Sequence, residues 1–132
     1  MRASGLQRML SVLAMAAFIC VSATTAQAKP SSGWRITFDG STEVEAKIGL
    51  RIAPLEATPI DVEITIPAQT SENKVADLVR DGLKKTLGTK DFRVGVDDGE
   101  SVIVKKRGKT KKFELTMLTP PINGLGVKIK RE

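Results

Sequence analysis

Residues 60–87 read IDVEITIPAQTSENKVADLVRDGLKKTL, and this stretch decides the fold class because its hydrophobic period changes within it. Up to Ile66 an apolar side chain occupies every second position, which is typical of a strand with one buried face. Pro67 ends that strand, since proline has no N–H to donate to a neighbouring strand. From Glu72 to Leu87 the apolar residues recur at helical spacing. We therefore predict one amphipathic helix over about 71–87.

The predicted helix carries recognisable terminal residues. Thr70 or Ser71 can cap its first turn by accepting a hydrogen bond from a free backbone N–H. Gly88 follows the last apolar residue and suits the left-handed conformation that often ends a helix. Gly82 falls on the apolar stripe, which favours a close approach of the helix to a sheet over a tolerated defect.

Alternation of period two recurs on both sides of the helix, in residues 34–38, 44–52, 92–96, 102–104, 113–117 and 125–129. With residues 60–66, these segments give three strands, one helix and four strands. A helix of about 17 residues spans roughly 25 Å and cannot cover seven strands. We therefore predict an α+β fold in which about seven mostly antiparallel strands form a curled or two-layer sheet, with the helix on its apolar face.

Turn residues separate the predicted strands. Asp39-Gly40 predicts a hairpin after the first strand, and Asp97-Asp98-Gly99 predicts a second turn. Gly108 is expected at the tip of a third hairpin, and Asn123-Gly124 precedes the last strand.

The N-terminal 28 residues have the pattern of an export signal. Arg2 and Arg8 precede the apolar run Met9–Val21, and Ala26-Gln27-Ala28 offers the small residues that signal peptidase accepts. The run is shorter than the roughly 20 residues that a membrane anchor needs. We expect residues 1–28 to be a cleaved signal peptide and residues 29–132 to be a single exported domain, periplasmic or extracellular, with no transmembrane segment after cleavage.

The composition excludes several kinds of chemistry. The chain has no histidine and no tyrosine, and its one cysteine, Cys20, lies in the expected signal peptide. Catalytic triads based on histidine and zinc sites with histidine or thiolate ligands are therefore excluded. With few aromatic residues for base stacking, a specific nucleic-acid partner is not expected. We expect no cofactor and no bound metal.

A cluster of cations is the most conspicuous chemical feature. Residues 101–132 carry nine basic and two acidic side chains, whereas residues 29–100 carry ten and thirteen. Six of the basic residues fall within eight positions, and we take them as the candidate polyanion-binding residues: Lys105, Lys106, Arg107, Lys109, Lys111 and Lys112. Such charges attract phosphate and carboxylate polymers or lipid head groups. The alternative is a solvated hairpin whose charges keep edge strands apart from other molecules.

Acidic residues suggest weaker alternatives. Residues 39–43 and 97–100 could offer oxygens to calcium, although neither segment has the full loop spacing and turn chemistry explains both. The carboxylate pairs Glu43 with Glu45 and Asp61 with Glu63 could serve glycoside chemistry. Acidic residues two positions apart on a strand are, however, also common on a solvent-exposed sheet face.

One stretch resembles a known kind of module. Val62-Glu63-Ile64-Thr65-Ile66-Pro67 followed by Val75–Leu87 is similar to the helix-containing repeats of hook-associated flagellar proteins and related exported filament and adhesin proteins. Thr86-Leu87 stands where that family usually has an Ile-Asn pair. The resemblance covers about half of residues 29–132, and it implies a non-catalytic surface module.

These observations favour a non-enzymatic envelope or surface binding module. Its expected partners are an envelope or surface protein, or an anionic polymer or lipid head groups. The alternatives are a small hydrolase or transferase that uses carboxylates, and a periplasmic inhibitor or assembly factor that pairs one of its strand edges with a partner.

Overall fold

The computed structural model describes residues 29–132, and the expected signal peptide, residues 1–28, lies outside the described residues. Within the described part the order is β1 (Gly33–Gly40), β2 (Ala46–Pro54), β3 (Ile60–Ile66), α1 (Glu72–Leu87), β4 (Phe92–Asp97), β5 (Ser101–Lys106), β6 (Phe113–Met117) and β7 (Leu125–Arg131). The predicted α+β class, with seven strands and one helix, is confirmed. In residues 29–132 no helix is long and apolar enough to cross a membrane.

The strands form two antiparallel sheets rather than one curled sheet. The first sheet has the order β4-β5-β1-β7, and the second has the order β3-β2-β6. Alternate residues of each strand point between the sheets, so the inward-facing apolar side chains of both sheets form one core.

Two of the predicted hairpins are wrong. Asp39-Gly40 does not connect two paired strands, because β1 pairs with β5 and β7 while β2 pairs with β3 and β6. The segment around Gly108 likewise links β5 of the first sheet to β6 of the second. Alternation identifies a strand but not its partner, and a glycine with positive φ can turn a chain toward either sheet. The turn at Asp98 and Gly99 between the paired strands β4 and β5 is confirmed, with φ angles of 56° and 74°.

The helix α1 closes one side of the two-layer structure. It packs against β3 of one sheet and against β4, β5 and β1 of the other. Its buried residues are Val75, Ala76, Val79 and Leu83. Because β3 and β4 are edge strands of their sheets, the helix covers these two edges, and β6 and β7 are the edges on the opposite side.

The helix ends differ in how well the sequence predicts them. Gly88 has the expected positive φ of 75°, and its N–H donates to the Lys84 carbonyl over 2.9 Å. The predicted side-chain cap is wrong: Ser71 is the N-cap but makes no capping hydrogen bond. The Thr70 hydroxyl donates instead to the Pro67 carbonyl over 2.7 Å. This bond holds the turn between β3 and α1.

Gly82 lies where the helix packs closely against the second sheet. A Cβ atom at this position would lie 2.6 Å from Cγ1 of Ile64 on β3, and Ile64 is itself buried. The predicted close approach is therefore confirmed, because a side chain at this helix position would require Ile64 to move.

We expect Gly82→Ala to destabilise the protein by about 1–2 kcal/mol, because the overpacking cost exceeds the helix-propensity gain of about 1 kcal/mol. In an Ile64→Ala background the added methyl group has room, so there the same substitution should stabilise. Urea unfolding of the four proteins of this cycle measures both values. Stabilisation by Gly82→Ala in the otherwise unchanged protein would show that α1 does not pack tightly against Ile64 of β3.

Candidate functional site

The six candidate cations lie at one end of the two-layer structure, at the crossing from one sheet to the other. Lys105 and Lys106 end β5, and residues 107–112, here called the basic loop, lead to β6. The predicted hairpin at this place is wrong because β5 pairs with β4 and β1, whereas β6 pairs with β2. The cations therefore lie on a connection between the two sheets and not at the tip of a hairpin within one sheet.

Backbone hydrogen bonds join the basic loop and the preceding residue, Lys106, to three neighbouring segments, and one bond lies within the loop. The bonds are Lys106 N–H to the Ser32 carbonyl at 3.0 Å, Arg107 N–H to the Asp91 carbonyl at 2.8 Å, Thr110 N–H to the Arg107 carbonyl at 3.1 Å and Leu55 N–H to the Lys112 carbonyl at 3.0 Å. The cations are consequently held on an ordered backbone, which lowers the entropy that binding would otherwise lose.

A buried aromatic group anchors the end of the loop. The Trp34 indole N–H donates to the Phe113 carbonyl over 2.7 Å. Phe113 also exchanges two backbone hydrogen bonds of 2.9 Å with Ser31. The Phe92 and Phe113 rings meet edge to face, with centroids 5.2 Å apart. Three elements, β1, β4 and β6, are therefore joined directly beneath the cations.

The six candidate residues differ in exposure and partners. Lys105 is exposed on the outer face of the first sheet, directly opposite Arg93, and Lys106 is half-buried opposite Phe92. The four loop cations are exposed. Lys111 forms an ion pair of 3.6 Å with Glu56, and the other five have no ion-pair partner among residues 29–132. The structure thus brings the predicted residues to one end, with most of their charge uncompensated.

A cleft of about 620 Å³ lies beside the basic loop, between this loop and residues 54–60. Its charged lining includes Arg107, Lys109, Lys111 and Lys90, against two acidic residues. Its apolar lining includes Leu55, which is 45% exposed. Sequence reasoning missed Lys90, whose position follows from the helix direction: α1 ends at this end of the molecule. The cleft combines an apolar wall with a cationic rim.

An acidic cluster occupies the opposite end. Asp39 at the end of β1, Glu72 at the start of α1, and Asp98 and Glu100 in the β4–β5 turn come together there. A hydrogen bond with the Glu72 carboxylate raises the pKa of Glu100, and loss of solvation and the neighbouring acids add to the shift. Glu72 also accepts a 2.8 Å hydrogen bond from the Gly40 N–H. Among residues 29–132 no group of three or more acidic side chains is placed to hold a metal ion.

Of the two carboxylate pairs considered for acid–base chemistry, Asp61 and Glu63 form ion pairs on the outer face of the second sheet, whereas Glu43 and Glu45 lie before β2 and form none among residues 29–132. Asp61 accepts two hydrogen bonds from Arg51, at 2.8 and 2.9 Å, and these lower the pKa of Asp61. Glu63 lies 3.9 Å from the Lys47 ammonium group. This geometry is that of cross-strand ion pairs.

Comparison with known proteins identifies no relative: no family model, no curated protein and no solved structure matches this chain. The geometry and chemistry of the chain's own residues therefore carry the functional argument.

We expect Trp34→Phe to destabilise the protein by about 1–3 kcal/mol, because it removes a buried hydrogen bond between the sheets. It should also speed hydrogen exchange at the Arg107 and Thr110 amides, which belong to the anchored loop. Ile36→Val, a core truncation costing about 0.5–1.5 kcal/mol, is the control and should leave the relative protection of these amides unchanged. Equal effects of the two variants on the loop would contradict the anchoring role of Trp34.

The acidic cluster should make stability depend on pH in a definite direction. A carboxyl group whose pKa is higher in the folded than in the unfolded state stabilises the fold at low pH, and this contribution disappears as the pH rises through the folded pKa. We therefore expect Glu100→Gln to raise the melting temperature at pH 7 and to have little effect below about pH 4. Glu45→Gln removes an exposed carboxylate just before β2 and is the control. An unchanged melting temperature for Glu100→Gln at pH 7 would show that the ionised Glu100 carboxylate does not destabilise the fold.

Proposed function

We propose that this protein is an exported, non-enzymatic binding module that holds an anionic polymer or an anionic lipid surface against its basic loop. The observation that carries the proposal is that four exposed cations lie on six consecutive residues whose backbone is hydrogen-bonded at Arg107, Thr110 and Lys112. Electrostatic attraction of this kind is long-ranged and depends on salt.

The surroundings of the loop support the same conclusion. Lys90 adds a cation from the segment between α1 and β4, and Lys105 adds one from the adjacent sheet face. The loop selects its ligand by charge more than by shape, because lysine presents a point charge and Arg107 is the one loop residue with a planar pair of donors. Phosphate, carboxylate and sulfate groups all carry the charge that such a site attracts.

The experiment is binding of the purified protein to dextran sulfate over a range of salt concentrations. The double variant Arg107→Gln/Lys109→Gln should weaken binding and reduce the slope of log K against log salt by about 2, because each substitution removes one cation that pairs with the polymer. The matched control Lys47→Gln/Lys74→Gln has the same net charge but changes residues away from the loop. If both double variants reduce the slope equally, binding follows net charge and the proposed site is wrong.

A second arm distinguishes lipid from polymer. Vesicles of phosphatidylglycerol present the same anionic charge beside apolar chains, and Leu55 is an exposed leucine next to the loop. If the natural ligand is a lipid surface, Leu55→Ser should weaken vesicle binding and leave dextran sulfate binding unchanged. If it is a polymer, Leu55→Ser should change neither. Vesicles of phosphatidylcholine alone should bind weakly in both cases.

A further inference from the structure

Within residues 29–132, the β7 strand is a sheet edge that no other strand or helix covers. β1 is the one strand that pairs with β7 in the described part of the chain, and α1 packs near β4, the opposite edge strand of that sheet. The seven residues of β7 make it longer than β6, the other edge strand on this side. An uncovered edge of this length presents a row of unpaired backbone groups.

The hydrogen-bond pattern identifies which backbone groups of β7 are available. Glu132 donates to the Gly33 carbonyl, and in an antiparallel pair alternate residues bond to the same neighbour. The even-numbered residues of β7 therefore bond to β1, and the N–H and C=O groups of Val127 and Ile129 point away from it. These two residues are positioned to receive another strand.

The side chains on the inner face of β7 are apolar. Val127 and Ile129 are half-buried and pack against the core. A hollow of about 230 Å³ lies beside Val127, and its apolar lining also includes Met117, Ile122 and Leu125. A partner's apolar side chains would complete the core at this side, where the helix does not reach.

The opposite face of β7 is cationic. Lys128 and Lys130 are exposed and lie beside Thr37 and Arg35 of β1. Arg35 already pairs with Asp97 at 2.8 Å and with Glu132 at 3.0 Å. Neither lysine forms an ion pair with another residue of the described chain. A second copy that paired β7 with β7 would bring these lysines close together, and like charges on facing strands repel.

We propose that β7 binds an extended segment of a partner protein, in which apolar residues that face the core alternate with acidic residues that face Lys128 and Lys130. The backbone bonds form at Val127 and Ile129, and the partner extends the four-stranded sheet by one strand. This surface is separate from the basic loop and would act independently of it.

The probe is a seven-residue peptide that alternates valine and glutamate, tested against the full protein. Binding should slow hydrogen exchange at the Val127 and Ile129 amides. Lys128→Glu/Lys130→Glu should lower the affinity by about tenfold or more, since two attractive pairs become repulsive. The same variant should gain affinity for a peptide that alternates valine and lysine. The Arg107→Gln/Lys109→Gln variant should bind the acidic peptide with unchanged affinity.

N-methylation of the peptide separates strand pairing from simple charge attraction. Alternate amides of a paired strand face the same neighbour, so methyl groups on one alternating set should abolish binding, and methyl groups on the other set should leave it. If both sets, or neither, change the affinity, the peptide does not pair with β7 and the proposal is wrong. Concentration-dependent dimers of the protein alone that protect Val127 and Ile129 would also overturn it, in favour of a second copy.

Discussion

The Trp34 indole N–H, bonded to the Phe113 carbonyl over 2.7 Å, is the contact on which the arrangement of this domain depends. Trp34 belongs to the four-stranded sheet and Phe113 begins the last strand of the other, so the bond spans the two layers at the point where the chain crosses between them. A buried indole N–H without an acceptor would be costly, and Phe113 is fixed further by Ser31 and by the Phe92 ring. The basic loop ends at this anchor, which is why its cations have defined positions beside the cleft.

The sequence predicted the elements well and their partners poorly, for a physical reason. When one face of an element is buried, apolar residues recur in its sequence at a fixed spacing, which is two in the strands and longer in α1. Every element could therefore be identified from the sequence. Which strand lies beside which depends on contacts between distant residues. Gly40 illustrates this: it looks like a hairpin glycine, but a Cβ there would overlap the Gly124 carbonyl oxygen. It allows the β1–β2 and β6–β7 connections to pass closely, a requirement invisible in either segment alone.

The same distinction applies to the candidate site. The cations of residues 105–112 are contiguous, so composition alone revealed them, whereas Lys90 and the cleft wall at Leu55 come from segments that only the topology brings together. The acidic end is also assembled from three separate segments. The helix connects both ends: it begins at Glu72 within the acidic cluster and ends before Lys90 at the cleft. Acids near its N-terminus and cations near its C-terminus both oppose its dipole, so this charge separation is compatible with helix stability.

The two surfaces proposed for binding share their sign of charge but differ in how they could select a partner. Charges on the basic loop recognise an anion mainly by its field, which acts over roughly a Debye length of 8–10 Å and carries little geometric information. On β7 the charges alternate with half-buried apolar residues, and the backbone between them fixes the register. A partner shifted by one residue would place its acids against Val127 and Ile129 instead of against the lysines. Specificity at this edge would therefore come from the pleat of the strand, whereas the loop would contribute attraction that salt can weaken.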